Sequence, residues 1–458
     1  MPARADAGHA GSPCRLTLSG ITFHHSNVPS PKGTGHMTPR ILLRASWQTA
    51  NIGDVAHAPG GIQAIQRAAP DAEIVLWPVW LDERERAMLA AHLPEVTIVE
   101  GGIDAGGCPD SAALQAEFDA ADLLVHGSGP SPLRAGDVRA WRTVTGKPYG
   151  FLGVTFDPFD PPQQATLPEL ELMIGQLPPV YLDAGLRDLL DHAAFVYCRD
   201  SLSLAYLRAQ GVRSDVLELG PDATFACDVV DHEAAAATMA EFGLAEGRFA
   251  CVIPAVRWTP YYRLRGFAPG QEHWRRDAVN ALYTEADMAP LREGIVAWVR
   301  RTGCPVLIVP EMVHEVELGL RYLASGYPDD VQPFVHHLPR FWPLEEAAGV
   351  YARAAAVFGH ECHSPIIASS YGTPGLYVRE PCDTVKGRMY ADLGLPHAQV
   401  EVTDGAAAVV GWVERVIDDP AGMRAVTRAG NERARALLSE AATVVTKAAE
   451  DGAVSWRR

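Results

Sequence analysis

From Thr38 onward, short apolar runs alternate with stretches whose apolar positions recur every three to four residues. The first kind reads as buried strands and the second as amphipathic helices. The strand-like runs are RILLRAS (40–46), EIVLWPV (73–79), VTIVEG (96–101), DLLVHG (122–127), PYGFLGVTF (148–156), AFVYCR (194–199) and SDVLELG (214–220). Helical stretches lie between them, the first predicted at IQAIQRAA (62–69), preceded by a Gly-rich turn over 47–61. The second half repeats the rhythm. Strands are predicted at 249–256, 305–311, 331–336, 356–361 and 374–380, with helices at 289–303, 314–325, 344–355 and 364–372. Two long amphipathic helices close the chain.

Strands that alternate with helices imply parallel sheets covered on both faces. The pattern predicts two doubly wound, Rossmann-like α/β domains, over 38–235 and 240–405, facing each other across a cleft. Residues 406–458 form helices packing across the interface, and an Ala/Glu-rich helix joins the halves near 228–247. Ligands of such folds sit outside the carboxyl ends of the strands. Residues 1–37 are rich in Gly, Ser, Pro and His, lack a periodic apolar face, and read as a disordered arm.

The 458 residues are 48% apolar and carry a net charge of −17, ordinary for a globular chain. The acidic balance argues against a nucleic-acid partner, although arginines gather at 257–276. No apolar run is long enough for a membrane span, and the start does not look like a signal peptide. These features predict a cytoplasmic protein. Its eight cysteines lack CxxC spacing and read as reduced, mostly buried thiols. The oligomeric state is left open, a homo-oligomer included.

Candidate chemistry clusters at strand ends. Asn51, Gly53 and Asp54 lie on the turn after the first strand, where free N–H groups suit an anion and Asp54 suits a helix cap. Gly127, Ser128 and Gly129 make a tight turn after the strand that ends near His126. Arg199 and Asp200 end another strand, Arg199 being either an anion clamp or the partner of its neighbour. Asp222 follows Pro221 and either orients a hydroxyl or caps a turn. Arg257, Arg263 and Arg265 stand among Trp258, Tyr261 and Tyr262, a mixture suited to a phosphate or a sugar. The segment FGHECHSP places Glu361 and His363 before a helix opened by Ser364 and Pro365, with Arg379 and Lys386 further on. His360 and His363 are not in an HExxH pattern, so no metal site is predicted.

In order and position, these segments resemble the polysaccharide pyruvyl transferase family over roughly residues 40–400. The first turn is similar to the family's Gly-Asn-x-Gly-Asp, with Asn51, Gly53 and Asp54 in place and Ala50 where the first glycine is usual. The glycine loop resembles Gly127-Ser128-Gly129. Arg199, Asp200 and Ser203 resemble its Arg-Asp-x-x-Ser, and Pro221-Asp222 its Pro-Asp. His363 falls on the histidine of an Arg-x-His helix start, and Lys386-Gly387 resembles a late lysine motif. Glu361 stands where the arginine is usual and reverses a charge. Either Arg257, Arg263 or Arg379 supplies the missing cation, or the donor is not phosphoenolpyruvate.

The resemblance implies a GT-B-like fold and transfer of a pyruvyl group from phosphoenolpyruvate to hydroxyls of a sugar or glycan, without a resident cofactor. Such chemistry needs a base, an acid for the enol methylene, and cations for the departing phosphate. His363, Glu361 and Asp54 are the candidate catalytic residues. Asn51, Gly53, Gly127, Ser128, Gly129, Arg199, Asp222, Arg257, Arg263 and Lys386 are the candidate binding residues. Two alternatives remain: a nucleotide-sugar glycosyltransferase, and a non-catalytic binder of acidic metabolites in the same cleft.

Overall fold

Two parallel sheets organise the computed structural model, which describes residues 38–45, 49–159 and 164–456. The first sheet joins β1 (Arg40–Arg44), β2 (Glu73–Trp77), β3 (Thr97–Ile98), β4 (Leu123–His126), β5 (Tyr149–Val154), β6 (Phe195–Cys198) and β7 (Leu217–Leu219). Their order is β3-β2-β1-β4-β5-β6-β7. The second joins β8 (Ala250–Ile253), β9 (Val306–Ile308), β10 (Val335–His337), β11 (Ala356–Gly359), β12 (Gly375–Arg379) and β13 (Gln399–Glu401), in the order β10-β9-β8-β11-β12-β13. Each order reverses beside its first strand, between β1 and β4 and between β8 and β11. Reversals of this kind open a crevice at the strands' carboxyl ends. The central strands are buried throughout, because helices cover both faces.

Two parallel-sheet α/β domains are present, and the helix His232–Glu241 lies between the two sheets along the chain. Of the closing helices, Ala406–Asp418 packs on Gln271–Thr302 within the second domain. Pro420–Trp456 returns to the first domain and packs on the helix Ile52–Ala68. One apolar cluster therefore runs through both domains, from Ile62 and Leu123 through Ile366 and Tyr377 to Leu438 and Val445.

The structure departs from the sequence expectations in four places. The first helix begins at Ile52, ten residues before the expected 62, so the predicted Gly-rich turn is largely helix. Asn51 starts it by accepting from the N–H groups of Gly53 and Asp54, at 2.7 and 3.1 Å. The glycines that suggested a turn serve packing instead. A Cβ on Gly60 would lie 2.0 Å from the Ala223 carbonyl oxygen. The helix expected at 289–303 starts at Gln271, because its first half is charged and half-exposed and shows no apolar stripe. The edge strands β3, β7 and β10 are shorter than their apolar runs. Finally, Cys198, Cys227, Cys251, Cys304, Cys362 and Cys382 are free and buried, but Cys108 is disulfide-bonded, contrary to the all-reduced reading. The predicted arm, residues 1–37, lies outside the described residues.

Candidate active site

The carboxyl ends of both sheets converge on a cavity of about 410 Å³. It is lined from the first domain by Asn51, Asp54, His57, Pro130 and Arg199, and from the second by Arg257, Glu361, His363, Glu380 and Lys386, among others. Backbone contacts fix the two walls. Ile52 N–H donates to the Glu311 carbonyl at 3.0 Å, and Val313 N–H donates to the Ala50 carbonyl at 3.0 Å. The start of the first helix is thereby held against the loop after β9.

At the floor, His363 begins its helix with its ring buried between two carboxylates. Its Nδ1–H donates to Glu311 Oε1 at 3.0 Å. The other Glu311 oxygen accepts from the Ser364 N–H at 2.6 Å and the Ser364 hydroxyl at 2.8 Å. Across the interface, His363 Nε2 faces His57 Nε2 at 3.1 Å and Asp222 Oδ2 at 3.7 Å. Burial works against a charged ring, but the hydrogen bonds to Asp222 and Glu311 outweigh it and raise His363 to about 9. Despite its own burial, Asp222 is held well below the usual carboxylate range by His57, Arg199 and His363.

Arg199 is 1% exposed. Its Nη1 donates to Asp222 Oδ2 at 2.5 Å and its Nε to the Thr155 hydroxyl at 2.9 Å. Its buried Nη2 has no hydrogen-bond partner. A desolvated guanidinium with an unpartnered N–H, on a residue that lines a cavity, suits an oxyanion. The neighbouring Asp200 is structural. It caps the helix Ser201–Ala209 by accepting from the Ser203 N–H at 2.7 Å.

His57, Asp222 and His363 each offer a ligand atom, all within 4.8 Å of one another, which is close enough to hold a metal ion. Here Arg199 already donates to the same Asp222 oxygen that faces both rings, and His363 bonds on its other side to Glu311.

The profile of the polysaccharide pyruvyl transferase family matches residues 51–380. The chain belongs to that family. Among curated proteins, none matches this family member by sequence. Solved structures share its fold. S. aureus MnaA, solved with UDP, is 11% identical with a TM-score of 0.54, covering 88% of this chain and 94% of its own. A UDP-glucose:anthocyanidin 3-O-glucosyltransferase in complex with UDP is 10% identical with a TM-score of 0.52, covering 91% and 100%. The fold is accordingly GT-B-like. No helix among the described residues is long and apolar enough to cross a membrane.

Within this pyruvyl transferase family member, the site residues expected from sequence separate into three groups. Asn51, Asp54, Arg199, Arg257, Glu361, His363 and Lys386 line the cavity. Asp222 lies beneath it, bonded to Arg199. Gly53 supports it, since a Cβ there would come 2.2 Å from the His363 Cβ.

The remaining expectations need correction. Arg263 does not line the cavity; it turns outward to Asp277 and the Tyr262 hydroxyl, with a side chain 63% exposed. Arg257 lines the wall but is held in a two-pronged pair with Asp287, at 2.8 and 2.9 Å, over the Tyr283 ring. Arg379 is also committed, to Glu401 and to backbone carbonyls. None of these three replaces the missing family arginine as a free cation. Gly127, Ser128 and Gly129 form the wall behind the floor, where the Ser128 hydroxyl donates to the Gly153 carbonyl at 2.8 Å; their neighbour Pro130 reaches the cavity.

The sequence reading missed His57 and Glu311. His57 stands three residues after Asp54, which places both on one helical face once the helix is seen to start at Ile52. Glu311 ends the run PVLIVPE at a strand's carboxyl end, a position that itself signals a ligand site.

Proposed function

We propose that the cavity transfers a pyruvyl group from phosphoenolpyruvate to hydroxyls of a sugar or glycan. The observation that carries this reading is the buried Arg199 with its unpartnered Nη2, set beside the charged ring of His363 at one floor. A phosphate or carboxylate of the donor takes the open guanidinium edge. Lys386, kept protonated by Asp383, Cys362 and Glu361 although burial opposes it, adds a second cation on the facing domain. These two supply the charge that Glu361 removes.

His363 is the proton donor to the enol methylene carbon, since its ring holds a proton at neutral pH and Glu311 fixes its orientation. Asp54 and Glu361 face the acceptor from the opposite walls. No resident cofactor is invoked, because phosphoenolpyruvate enters as a substrate. The competing reading is a nucleotide-sugar transferase, as the fold neighbours solved with UDP suggest for themselves.

The experiment is phosphate release from phosphoenolpyruvate over a panel of glycans, run in deuterated water. The reading expects deuterium in the product methyl group. His363→Gln should lower turnover by about 10²-fold or more. Release of UDP from a nucleotide sugar, with no phosphate from phosphoenolpyruvate, would refute it.

A further inference from the structure

Three polar side chains converge at the cavity floor. His57 Nε2 lies 3.1 Å from His363 Nε2 and 3.2 Å from Asp222 Oδ2, and His363 Nε2 lies 3.7 Å from the same oxygen. The two rings are not stacked; their planes stand at 74° and their Nε2 corners meet. All three residues are at most 5% exposed. They come from three elements. His57 lies on the helix Ile52–Ala68, Asp222 on the turn after β7, and His363 at the start of the helix His363–Ser370. No spacing along the chain announces such a set. The pyruvyl-transfer reading uses His363 alone of the three as a reacting group and assigns His57 no step.

We propose that His57, Asp222 and His363 bind a divalent transition-metal ion of the zinc class, and that the ion takes the place of the proton on His363 and holds the site inactive. The binding half stands by itself, and the inactivation rests on the pyruvyl-transfer reading above.

Two imidazoles and one carboxylate form the donor set of zinc sites that keep an open fourth position. Bonds of about 2.0–2.1 Å to a tetrahedral ion set its ligand atoms about 3.3 Å apart. The three separations here bracket that spacing. Hard cations such as Mg²⁺ prefer oxygen ligands and are poorly served by two imidazoles. The outer bonds point the same way. A metal-bound imidazole gives its other N–H to a carboxylate, carbonyl or water, which fixes the ring. His363 does so, its Nδ1–H donating to Glu311 Oε1 at 3.0 Å. Asp222 is fixed as well. Its Oδ1 accepts from the Thr224 N–H at 2.9 Å, and its Oδ2 accepts from Arg199 Nη1. A carboxylate oxygen has two lone pairs, so Oδ2 can keep Arg199 and still bond an ion. Asp222 and Glu311 together match the two charges of the ion. Arg199 and Lys386 oppose it, and their repulsion makes the ion exchangeable instead of permanent.

The consequence for turnover follows from the lone pairs. An imidazole Nε2 holds either a proton or a metal ion, never both. With the ion bound, His363 keeps only its Nδ1 proton, which Glu311 holds. It then has none to give to the enol methylene carbon. His57 and His363 both line the cavity, so an ion reaches the floor through it.

Calorimetric titration of Zn²⁺ into the chelator-treated full chain reads the site, with Mg²⁺ as the comparison. One zinc ion per chain and no saturable uptake of Mg²⁺ are expected. Co²⁺ in place of Zn²⁺ should give the intense visible bands of a four- or five-coordinate ion. His57→Gln should lose both the zinc binding and those bands. Glu311→Gln retains all three ligands and should weaken zinc binding by about 10–100-fold. The site is overturned by a parent that takes up no zinc saturably, or by equal binding in His57→Gln. The cobalt spectrum of the parent decides even where a variant fails to fold, since a weak, water-like octahedral spectrum also overturns the site. In turnover, phosphate release from phosphoenolpyruvate should fall in step with zinc occupancy and return with a chelator, and His57→Gln should escape the inhibition. Release that is unchanged or raised at full occupancy overturns the inactivation. If phosphoenolpyruvate is not turned over at all, the donor reading and the inactivation that rests on it fall together, whereas the zinc and cobalt titrations still decide the site.

Discussion

Arg199 and His363 keep their charges in a buried floor because each is paired with a carboxylate, Asp222 below and Glu311 behind. Removing one member of such a pair strands the other. His363→Ala is therefore expected to lower the thermal midpoint as well as turnover, breaking a buried pair costing about 3–5 kcal/mol. Calorimetric unfolding checks this, and a midpoint equal to the parent's would argue against the Glu311 contact. Gly53→Ala probes the same ring from the facing helix. Its methyl group would meet the His363 ring and displace it, and a shift of that order costs about 10²-fold in rate. Steady-state kinetics on a folded variant test it, and parental turnover would contradict the placement of His363. The ring's proton also sets an alkaline limb: kcat should fall above about pH 9, and His363→Gln should lack that limb. At this scale the sequence was legible where a polar residue follows a strand, as with Asn51, Arg199, Glu361 and His363. Arg263 looked equivalent to Arg257 by sequence, and only the ion pair with Asp277 shows that it turns away.

The helix Ile52–Ala68 carries more of the site than any other element, with Asp54 and His57 on its cavity side and its cap residue Asn51 at the rim. Asn51→Ala removes the acceptor for two N–H groups and should cost about 1 kcal/mol, while Asn51→Asp should retain most of that stability. Denaturant unfolding of both variants checks this, and equal loss in the two would show that the cap is not what matters. The central strands were readable because burial on both faces leaves an unbroken apolar run. The start of this helix was not, because Pro59, Gly60 and Gly61 mimic a turn. Gly60 is there for close approach to Ala223 and not for backbone freedom.

The two sheets, each reversing direction beside its first strand, bring seven chain segments from both domains to one cavity. The terminal helix then ties the pair together. Leu438, Ala441, Ala442 and Val445 on that helix are at most 1% exposed and belong to the cluster shared by both domains. Deleting residues 420–458 uncovers the outer face of the first helix, and the truncated chain should lose its cooperative transition at the parental midpoint; a scan that still shows it there would count against this. The alternation of strands and helices made the architecture legible; the closing helices were expected across the interface, but which face each of them meets was not readable, since an amphipathic stripe does not say which partner it meets. The central claim is that this cavity, floored by Arg199 and His363, takes phosphoenolpyruvate. Calorimetric titration of phosphoenolpyruvate and of UDP into the parent and into Arg199→Lys tests it most directly, because lysine keeps the charge opposite Asp222 but lacks the open Nη2 edge. The account predicts saturable binding of phosphoenolpyruvate, weakened about tenfold or more in Arg199→Lys, with no comparable binding of UDP. Equal affinity for phosphoenolpyruvate in both proteins, or saturable binding of UDP alone, would contradict it.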